Sequence, residues 1–222
     1  MTSGNEIWFL QNVDLHQLFC PVSTGRNHHL QQFKKGEFIY FPKDASDKIY
    51  FIASGKVKVG TYSEDGKELI KTILGYGEIF GELAIVGEEK RKDFAQALET
   101  VEVCIKSLEE VFELMNRDPK FNRKLTIMIG NRLLQTEEKL EALVFKDART
   151  RIIDLLRDMA EKRGRKVGFE TLIDNYLTHQ DMANITATSR QTVTTVLNDL
   201  RESNQIYFDR KRILIRDLES LN

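Results

Sequence analysis

Residues 189–195 include several side chains that can form hydrogen bonds with DNA bases. An arginine can donate two hydrogen bonds to guanine O6 and N7, and a glutamine can pair in the same way with adenine N6 and N7. Serine and threonine hydroxyls can bind phosphate oxygens or contact a thymine methyl group. Arg190 and Gln191 stand in the first turn of a predicted helix, the end that a recognition helix inserts into the major groove. The segment therefore predicts sequence-specific DNA recognition, with an ordinary polar surface helix as the alternative.

Two short helices joined by a tight turn are predicted for residues 178–201. Thr178 can cap the first helix, and Asp181 three residues later completes an approximate capping box. Thr188 can cap the second helix, with Gln191 reaching back to the free backbone N–H groups. In the second helix, apolar residues recur at i, i+3, i+4 and i+7 and form one face to be buried. These residues are Val193, Val196, Leu197 and Leu200.

A charged hairpin is predicted directly after the helix pair. Residues 205–217 alternate as two strands around a turn that carries Arg210, Lys211 and Arg212. A hairpin in this position is the wing of a winged helix, and its cations would lie beside a bound phosphate backbone. The alternative is a charged turn that is only solvated.

Residues 33–107 have the texture of an antiparallel barrel or jelly roll. Short β-rich runs are separated by turns, and eight of the thirteen glycines lie between Gly36 and Gly87. Residues 64–67, Glu-Asp-Gly-Lys, give a hairpin signal of the Asp-Gly kind. Closely spaced short strands with tight turns are typical of all-β barrels and rolls.

A long helix is predicted after the barrel. Asp118 can cap it and Pro119 can occupy its first position. Residues 129, 133, 136, 140 and 143 step by 4, 3, 4 and 3, which is the spacing of two packed helices and favours a dimer helix over packing on the chain's own barrel. A break at residues 145–147 follows, and Asp147 can cap the next helix.

Composition gives only weak guidance about partners. The chain of 222 residues has a formal charge of −1; residues 145–222 carry 14 Lys/Arg and 12 Asp/Glu, a net of +2, which leaves −3 for the rest. Two cysteines without CxxC spacing, no signal peptide and no apolar span lead us to expect a cytoplasmic protein with no membrane partner. No Ser–His–Asp set, metal-ligand cluster or phosphate loop is apparent, so we expect no enzymatic activity.

The order of these parts resembles the Crp/Fnr family of bacterial transcription regulators. The resemblance extends from residue 33 to the end, and its most specific motifs are Gly-Glu-Leu at 81–83 and Ser-Arg-Gln-Thr-Val at 189–193. It implies an α+β fold with a cyclic-nucleotide-binding-like effector domain at 1–116, a dimerisation helix and hinge at 117–146, and a winged helix-turn-helix domain at 147–222. It also implies a homodimer on a two-fold symmetric double-stranded DNA site, with RNA polymerase as a further partner.

The resemblance also implies roles for individual residues of the reader helices. The family's base-reading positions fall on Ser189, Arg190, Gln191 and Thr195, and its phosphate contacts fall on Thr178 and Gln180. The cyclic-AMP-responsive members carry Glu where this chain has Gln191, and Arg where it has Thr195. We therefore expect a half-site that differs from that of the cyclic-AMP regulator by one or two base pairs.

The effector positions are kept only in part. By resemblance, Gly81, Glu82 and Leu83 form the turn that holds a ribose, Arg91 matches a phosphate-binding Arg, and Thr136 matches a threonine that contacts adenine. Lys92 replaces the small serine beside that Arg, and Asp93 adds a negative charge near the expected phosphate. A cyclic nucleotide, another anion and no small ligand are all left open, since the barrel corner itself can require the Gly-Glu-Leu turn.

Other sensory cofactors of the family are limited by the available ligands. Two distant cysteines cannot hold an iron–sulfur cluster, which needs about four thiolates. Haem needs one or two axial ligands, and His16, Cys20, His28 and His29 leave it open. The alternative function is a cyclic-nucleotide-binding module that regulates a partner protein, but such modules lack the reader helix, hinge and wing.

Overall fold

The computed structural model describes residues 19, 30–174, 177–209 and 212–221. The chain divides into two compact units, Met1–Leu134 and Gln135–Asn222, each with its own core. The first unit is mainly β and the second combines helices with a small sheet, so the α+β prediction is confirmed. In the described part of the chain, no helix is both long and apolar enough to cross a bilayer.

Two antiparallel four-stranded sheets make up most of the first unit. Their strands are β1 (Leu30–Phe33), β2 (Phe38–Tyr40), β3 (Lys48–Ser54), β4 (Val57–Tyr62), β5 (Glu68–Leu74), β6 (Ile79–Phe80), β7 (Phe94–Ala97) and β8 (Val101–Ser107). The sheets are ordered β1-β8-β3-β6 and β2-β7-β4-β5. The first strand begins three residues before the predicted β region, and Gly66 adopts φ +79° in the β4–β5 hairpin that the Asp-Gly signal predicts.

Apolar side chains between the two sheets form the core of the barrel. It includes Tyr40, Tyr50 and Phe80, whose rings pack together in the interior. A 3₁₀ helix, Glu82–Val86, follows β6 and leads towards β7. The barrel prediction is confirmed, and this corner brings Arg91 into contact with the Gly81 turn.

Two helices follow the last barrel strand in the chain. Helix α1 (Leu108–Arg117) begins with a capping box between Ser107 and Glu110. Helix α2 (Pro119–Phe145) begins where predicted, because the Asp118 side chain accepts the backbone N–H groups of Lys120 and Phe121 at 2.9 and 3.3 Å.

The second unit has the order of a winged helix-turn-helix. Asp147 caps α3 (Ala148–Arg163) by accepting the backbone N–H of Thr150 at 2.7 Å, as predicted. The remaining elements are β9 (Arg165–Val167), β10 (Glu170–Asp174), α4 (His179–Thr186), α5 (Arg190–Glu202), β11 (Ile206–Phe208) and β12 (Arg212–Ile215). The four strands form one sheet ordered β11-β12-β10-β9, and the helix pair α4–α5 lies between β10 and β11 in the chain.

Candidate nucleic-acid interface and barrel cluster

Helix α4 begins with the predicted capping box. The Thr178 hydroxyl accepts the backbone N–H of Asp181 at 3.0 Å, and the Asp181 carboxylate accepts the backbone N–H and the hydroxyl of Thr178 at 3.0 and 2.7 Å. Both polar groups of Thr178 are thus used within the chain. Gln180 is exposed on this helix, and its side chain donates to Asn184 at 2.8 Å.

The start of α5 differs from the prediction by one residue. Ala187 adopts a left-handed conformation with φ 49°, and the N–H of Thr188 still bonds back to the Ala183 carbonyl at 3.0 Å. Thr188 therefore belongs to the turn, and the prediction that it caps α5 is wrong. Ser189 is the cap instead, because its side chain accepts the backbone N–H of Thr192 at 3.0 Å.

The two faces of α5 separate apolar from polar residues as predicted. Val193, Val196, Leu197 and Leu200 are buried in the core of the second unit. On the other side, Arg190, Gln191 and Thr195 are exposed. The buried face fixes the rotation of the helix, so these three side chains point to solvent together.

His179 joins the two reader helices. Its Nδ1 lies 3.0 Å from the Thr194 hydroxyl, which itself donates to the Arg190 carbonyl at 3.0 Å. Since a hydroxyl has one proton to give, the imidazole Nδ1 must be the donor to Thr194. Partial burial and the nearby Arg190 charge lower the pKa of His179 below its ordinary 6.5, which favours the neutral ring.

Arg151 is a positioning residue that the sequence did not reveal. From α3 its guanidinium donates to the carbonyls of Thr186 and Ala187, in the turn between the reader helices, at 2.9 and 3.4 Å. It also donates to the Lys146 carbonyl, directly after α2, at 2.7 Å. One side chain thus joins the segment between α2 and α3 to the turn that sets the start of α5. An arginine in the first turn of an amphipathic helix gives no sequence signal for such contacts.

The wing is present as two antiparallel strands, β11 and β12. Its turn is closed by Asp209, whose backbone N–H bonds to the Arg212 carbonyl at 2.9 Å and whose side chain accepts the Arg212 N–H at 2.8 Å. Arg212 is exposed. Arg210 and Lys211 lie outside the described residues.

At the barrel corner, Arg91 and the Gly-Glu-Leu turn are in direct contact. Arg91 is 2% exposed, and its two terminal nitrogens donate to the carbonyls of Gly81, at 2.9 Å, and Lys48. Gly81 adopts φ +78°, and a Cβ there would meet the Arg91 nitrogens at 3.0 and 3.1 Å. The turn therefore needs glycine for its own packing, whatever the barrel binds.

Asp93 and Tyr40 complete the charged cluster around Arg91. The centroid of the Tyr40 ring lies 4.6 Å from the guanidinium carbon, and burial together with the negative charge of Asp93 raises the pKa of Tyr40 well above its ordinary value. Asp93 is 7% exposed and pairs with Lys71 at 3.2 Å. Lys92, between Arg91 and Asp93, is exposed, so the structure places it away from this cluster.

The two remaining turn residues face different partners. Glu82 forms an ion pair with Arg132 of α2, and Arg132 also donates to the Ile79 carbonyl. Leu83 is exposed on the 3₁₀ helix. Thr136 is exposed on α2, in the second compact unit.

The described residues contain no assembled metal site. Cys104 is buried in the barrel core, and no group of three or more His, Cys, Asp or Glu side chains among the described residues could hold a metal ion. The proposed haem ligands His16, Cys20, His28 and His29 lie outside the described residues.

Comparison with known proteins matches both units. A family model described as the cyclic nucleotide-binding domain matches residues 30–118, and one described as the Crp-like helix-turn-helix domain matches residues 150–222. The Global nitrogen regulator of Nostoc sp. is 29% identical over 208 residues, 92% of this chain and 93% of that protein.

Two further relatives match most of the chain. The CRP-like cAMP-activated global transcriptional regulator of Mycobacterium tuberculosis is 29% identical over 189 residues, 85% of this chain and 84% of that protein. The structure of a mutant CooA from Carboxydothermus hydrogenoformans aligns with a TM-score of 0.76 at 26% identity, covering 87% of this chain and 85% of that one.

Proposed function

Because the chain belongs to the Crp/Fnr family of transcription regulators, we propose that it acts as a homodimer that places two copies of α5 in the major groove of a two-fold symmetric DNA site. The observation that carries this proposal is the exposed set Arg190, Gln191 and Thr195, opposite a fully buried face of the same helix. A polar row with a fixed rotation is what base readout requires.

The exposed residues divide into two roles. Arg190 and Gln191 have side chains long enough for paired hydrogen bonds to guanine and adenine, and Thr195 can contact a thymine methyl. Thr178, Gln180 and Ser189 stand at the starts of the two helices, where phosphate oxygens can meet backbone N–H groups. Arg212 and the wing residues Arg210 and Lys211 supply positive charge for the phosphate backbone.

The dimer proposal is supported by the exposed apolar residues of α2. Leu133, Leu140 and Leu143 of the predicted row are 60%, 63% and 47% exposed. Large exposed apolar side chains seven and three residues apart, on one face of a helix, are better explained by a second helix than by water. Burial of this row between two copies would also explain why α2, a helix of 27 residues, carries exposed apolar side chains along one face.

We propose that the barrel controls DNA binding through α2, in response to an effector. The contact that supports this is the Glu82–Arg132 ion pair, which ties the barrel corner to the long helix. The Mycobacterium tuberculosis relative is named as cAMP-activated, which makes a cyclic nucleotide the first effector to consider. RNA polymerase is the further partner expected of a transcription regulator.

The experiment is selection of binding sites from a random DNA pool, followed by variant affinities on the selected site. Arg190→Ala should cost about 1–3 kcal/mol and relax the preference at one base pair. Arg212→Ala should weaken all sequences alike and flatten the salt dependence. Lys35→Ala, which removes an exposed barrel cation, is the matched control and should change neither.

Two results would count against the proposal. Recovery of no symmetric sequence would favour a regulatory module that acts on a protein partner. Equal losses on specific and random DNA for both Arg190→Ala and Arg212→Ala would refute the division of roles.

A further inference from the structure

The charged cluster inside the barrel bears on how DNA binding is controlled. We infer that this barrel does not bind cyclic nucleotides, because Asp93 already supplies the anion beside Arg91 and Tyr40. We also infer that DNA binding requires no cyclic nucleotide. The inference deepens the proposed function and rests on it for the part that concerns DNA. Control by an effector then has to come from a ligand or partner of another class.

Arg91 is committed to the backbone. Its terminal nitrogens donate to the Gly81 and Lys48 carbonyls, and its flat face covers the Tyr40 ring. A bidentate grip on a phosphate would take these donors away from both carbonyls, and the Gly81 carbonyl would keep only the long 3.4 Å bond from the Ala84 N–H. Its Nε is buried and has no hydrogen-bond partner among the described residues.

Asp93 would oppose a phosphate in the same place. Its carboxylate is buried, pairs with Lys71, and carries a charge that helps to raise the pKa of the nearby Tyr40. The cluster therefore already contains an anion that is paired with one of its cations. A second negative charge brought beside Asp93 would lose its hydration and meet like-charge repulsion, and both effects are strong in a buried site.

The space beside the cluster is filled by aromatic rings. Tyr50 stacks on Phe80 with ring centroids 4.9 Å apart and an interplanar angle of 11°. Tyr40 lies 5.7 and 6.1 Å from these two rings. All three side chains are buried in one core cluster, so no part of a nucleotide could enter this space without displacing packed rings.

The ribose-binding position is also committed. Glu82 pairs with Arg132, which holds the Ile79 carbonyl as well. The barrel corner is thus joined to α2 through protein contacts alone. The donor set does not fit a cyclic nucleotide. Arg91 is bound to backbone carbonyls, Lys92 replaces the small hydroxyl residue and is followed by the Asp93 carboxylate, and Glu82 is paired with Arg132 of α2.

Calorimetry and DNA binding on the full chain test the inference. We expect no binding heat and no shift in melting temperature with cyclic AMP or cyclic GMP at millimolar concentration, and the same affinity for the selected site with and without them. Micromolar binding of either nucleotide, or DNA binding that appears only with nucleotide, would overturn it. Calorimetry does not depend on DNA. If the protein selects no DNA site, the proposed function is refuted, but the calorimetric result still shows whether the barrel binds cyclic nucleotides.

Removal of the internal carboxylate gives a second test. Asp93→Ala should lower the melting temperature, and formate should restore it in this variant but not in the wild type, because a small carboxylate can refill the anion position. Asp93→Glu, which keeps the charge, is the matched control and should show no formate rescue. A fully stable Asp93→Ala variant that formate leaves unchanged would contradict the role of Asp93. If the variant does not fold, the nucleotide titrations of the wild type decide the question.

Discussion

Replacing Arg151 with alanine should weaken the positioning of α5 while leaving its preference for DNA bases unchanged. The side chain makes three hydrogen bonds to carbonyls, two of them short at 2.7 and 2.9 Å and one long at 3.4 Å. Together these bonds connect the end of α2 to the turn between the reader helices, while the buried apolar face of α5 is untouched by the change. We therefore expect the variant to keep its fold and its base preferences but to hold α5 less firmly.

The size of the effect follows from these bonds. A hydrogen bond from a charged donor contributes roughly 1.5–3 kcal/mol when it is well buried. Arg151 is half-buried, so water can replace part of what is lost, and the long bond adds little. We expect a loss of about 2 kcal/mol in the free energy of unfolding of the second unit, which is less than the roughly 3 kcal/mol that two such bonds would contribute at the low end if they were well buried.

DNA affinity should fall by a similar factor on every sequence. Chemical denaturation gives the free energy of unfolding, and fluorescence anisotropy on the selected site and on single-base variants gives affinity and preference. Arg149→Ala is the matched control: it removes the same charge from the same turn of α3, and its pair with Asp199 at 3.2 Å joins two well-exposed side chains. That pair should contribute between 0 and about 1 kcal/mol. Equal effects of the two variants would refute the positioning role of Arg151.

Three further variants test a cap, a reader-helix contact and the dimer helix. Asp147→Ala should lower the melting temperature at neutral pH. Hydrogen bonding to Thr150 lowers the pKa of Asp147, so the contribution of this carboxylate to stability is lost as the pH falls below 3.8. The melting temperatures of the variant and the wild type should therefore converge in acid, and a difference that persists there would contradict this. His179→Asn keeps a donor for Thr194 but cannot titrate. Because the pKa of His179 is lowered in the folded state, the stability of the wild type should drop relative to that of the variant as the pH falls below 6.5. If stability changed with pH in the same way for both proteins, His179 would not contribute to the pH dependence. Leu140→Glu should turn a dimer into a monomer in sedimentation, and an unchanged dimer would move the interface elsewhere.

Local sequence patterns predicted most helix and strand positions. Asp118, Asp147 and the Thr178–Asp181 pair cap helices where expected, because a cap depends on residues three positions apart and on little else. The same logic failed at Thr188, where two adjacent hydroxyl residues compete. Ser189 is the cap because the left-handed backbone at Ala187 ends α4 and leaves Thr188 inside the turn.

Long-range contacts could not be predicted in this way. The strand period of the barrel indicates which residues face inward, but not that Arg91 reaches the carbonyl of Lys48, which is 43 residues away. Arg151 and Thr186 are likewise 35 residues apart. Both arginines donate to backbone carbonyls, which carry no side-chain identity, so no residue type at the accepting end could have indicated either contact.

The caps also limit which side chains of α4 and α5 can distinguish one DNA base from another. Thr178 and Ser189 use their hydroxyls to accept backbone N–H groups, and the Ser189 hydroxyl also lies 2.8 Å from that of Thr192. The Thr178 hydroxyl gives its proton to Asp181, whereas the Ser189 hydroxyl can still donate to a phosphate oxygen; the helix, and not the base beneath it, sets the orientation of both. We therefore propose that base discrimination is concentrated in Arg190, Gln191 and Thr195, of which only the first is charged. A reader with one charged and two neutral contacts derives a larger share of its affinity from phosphates, so its binding should weaken with salt on all sequences while its preferences persist.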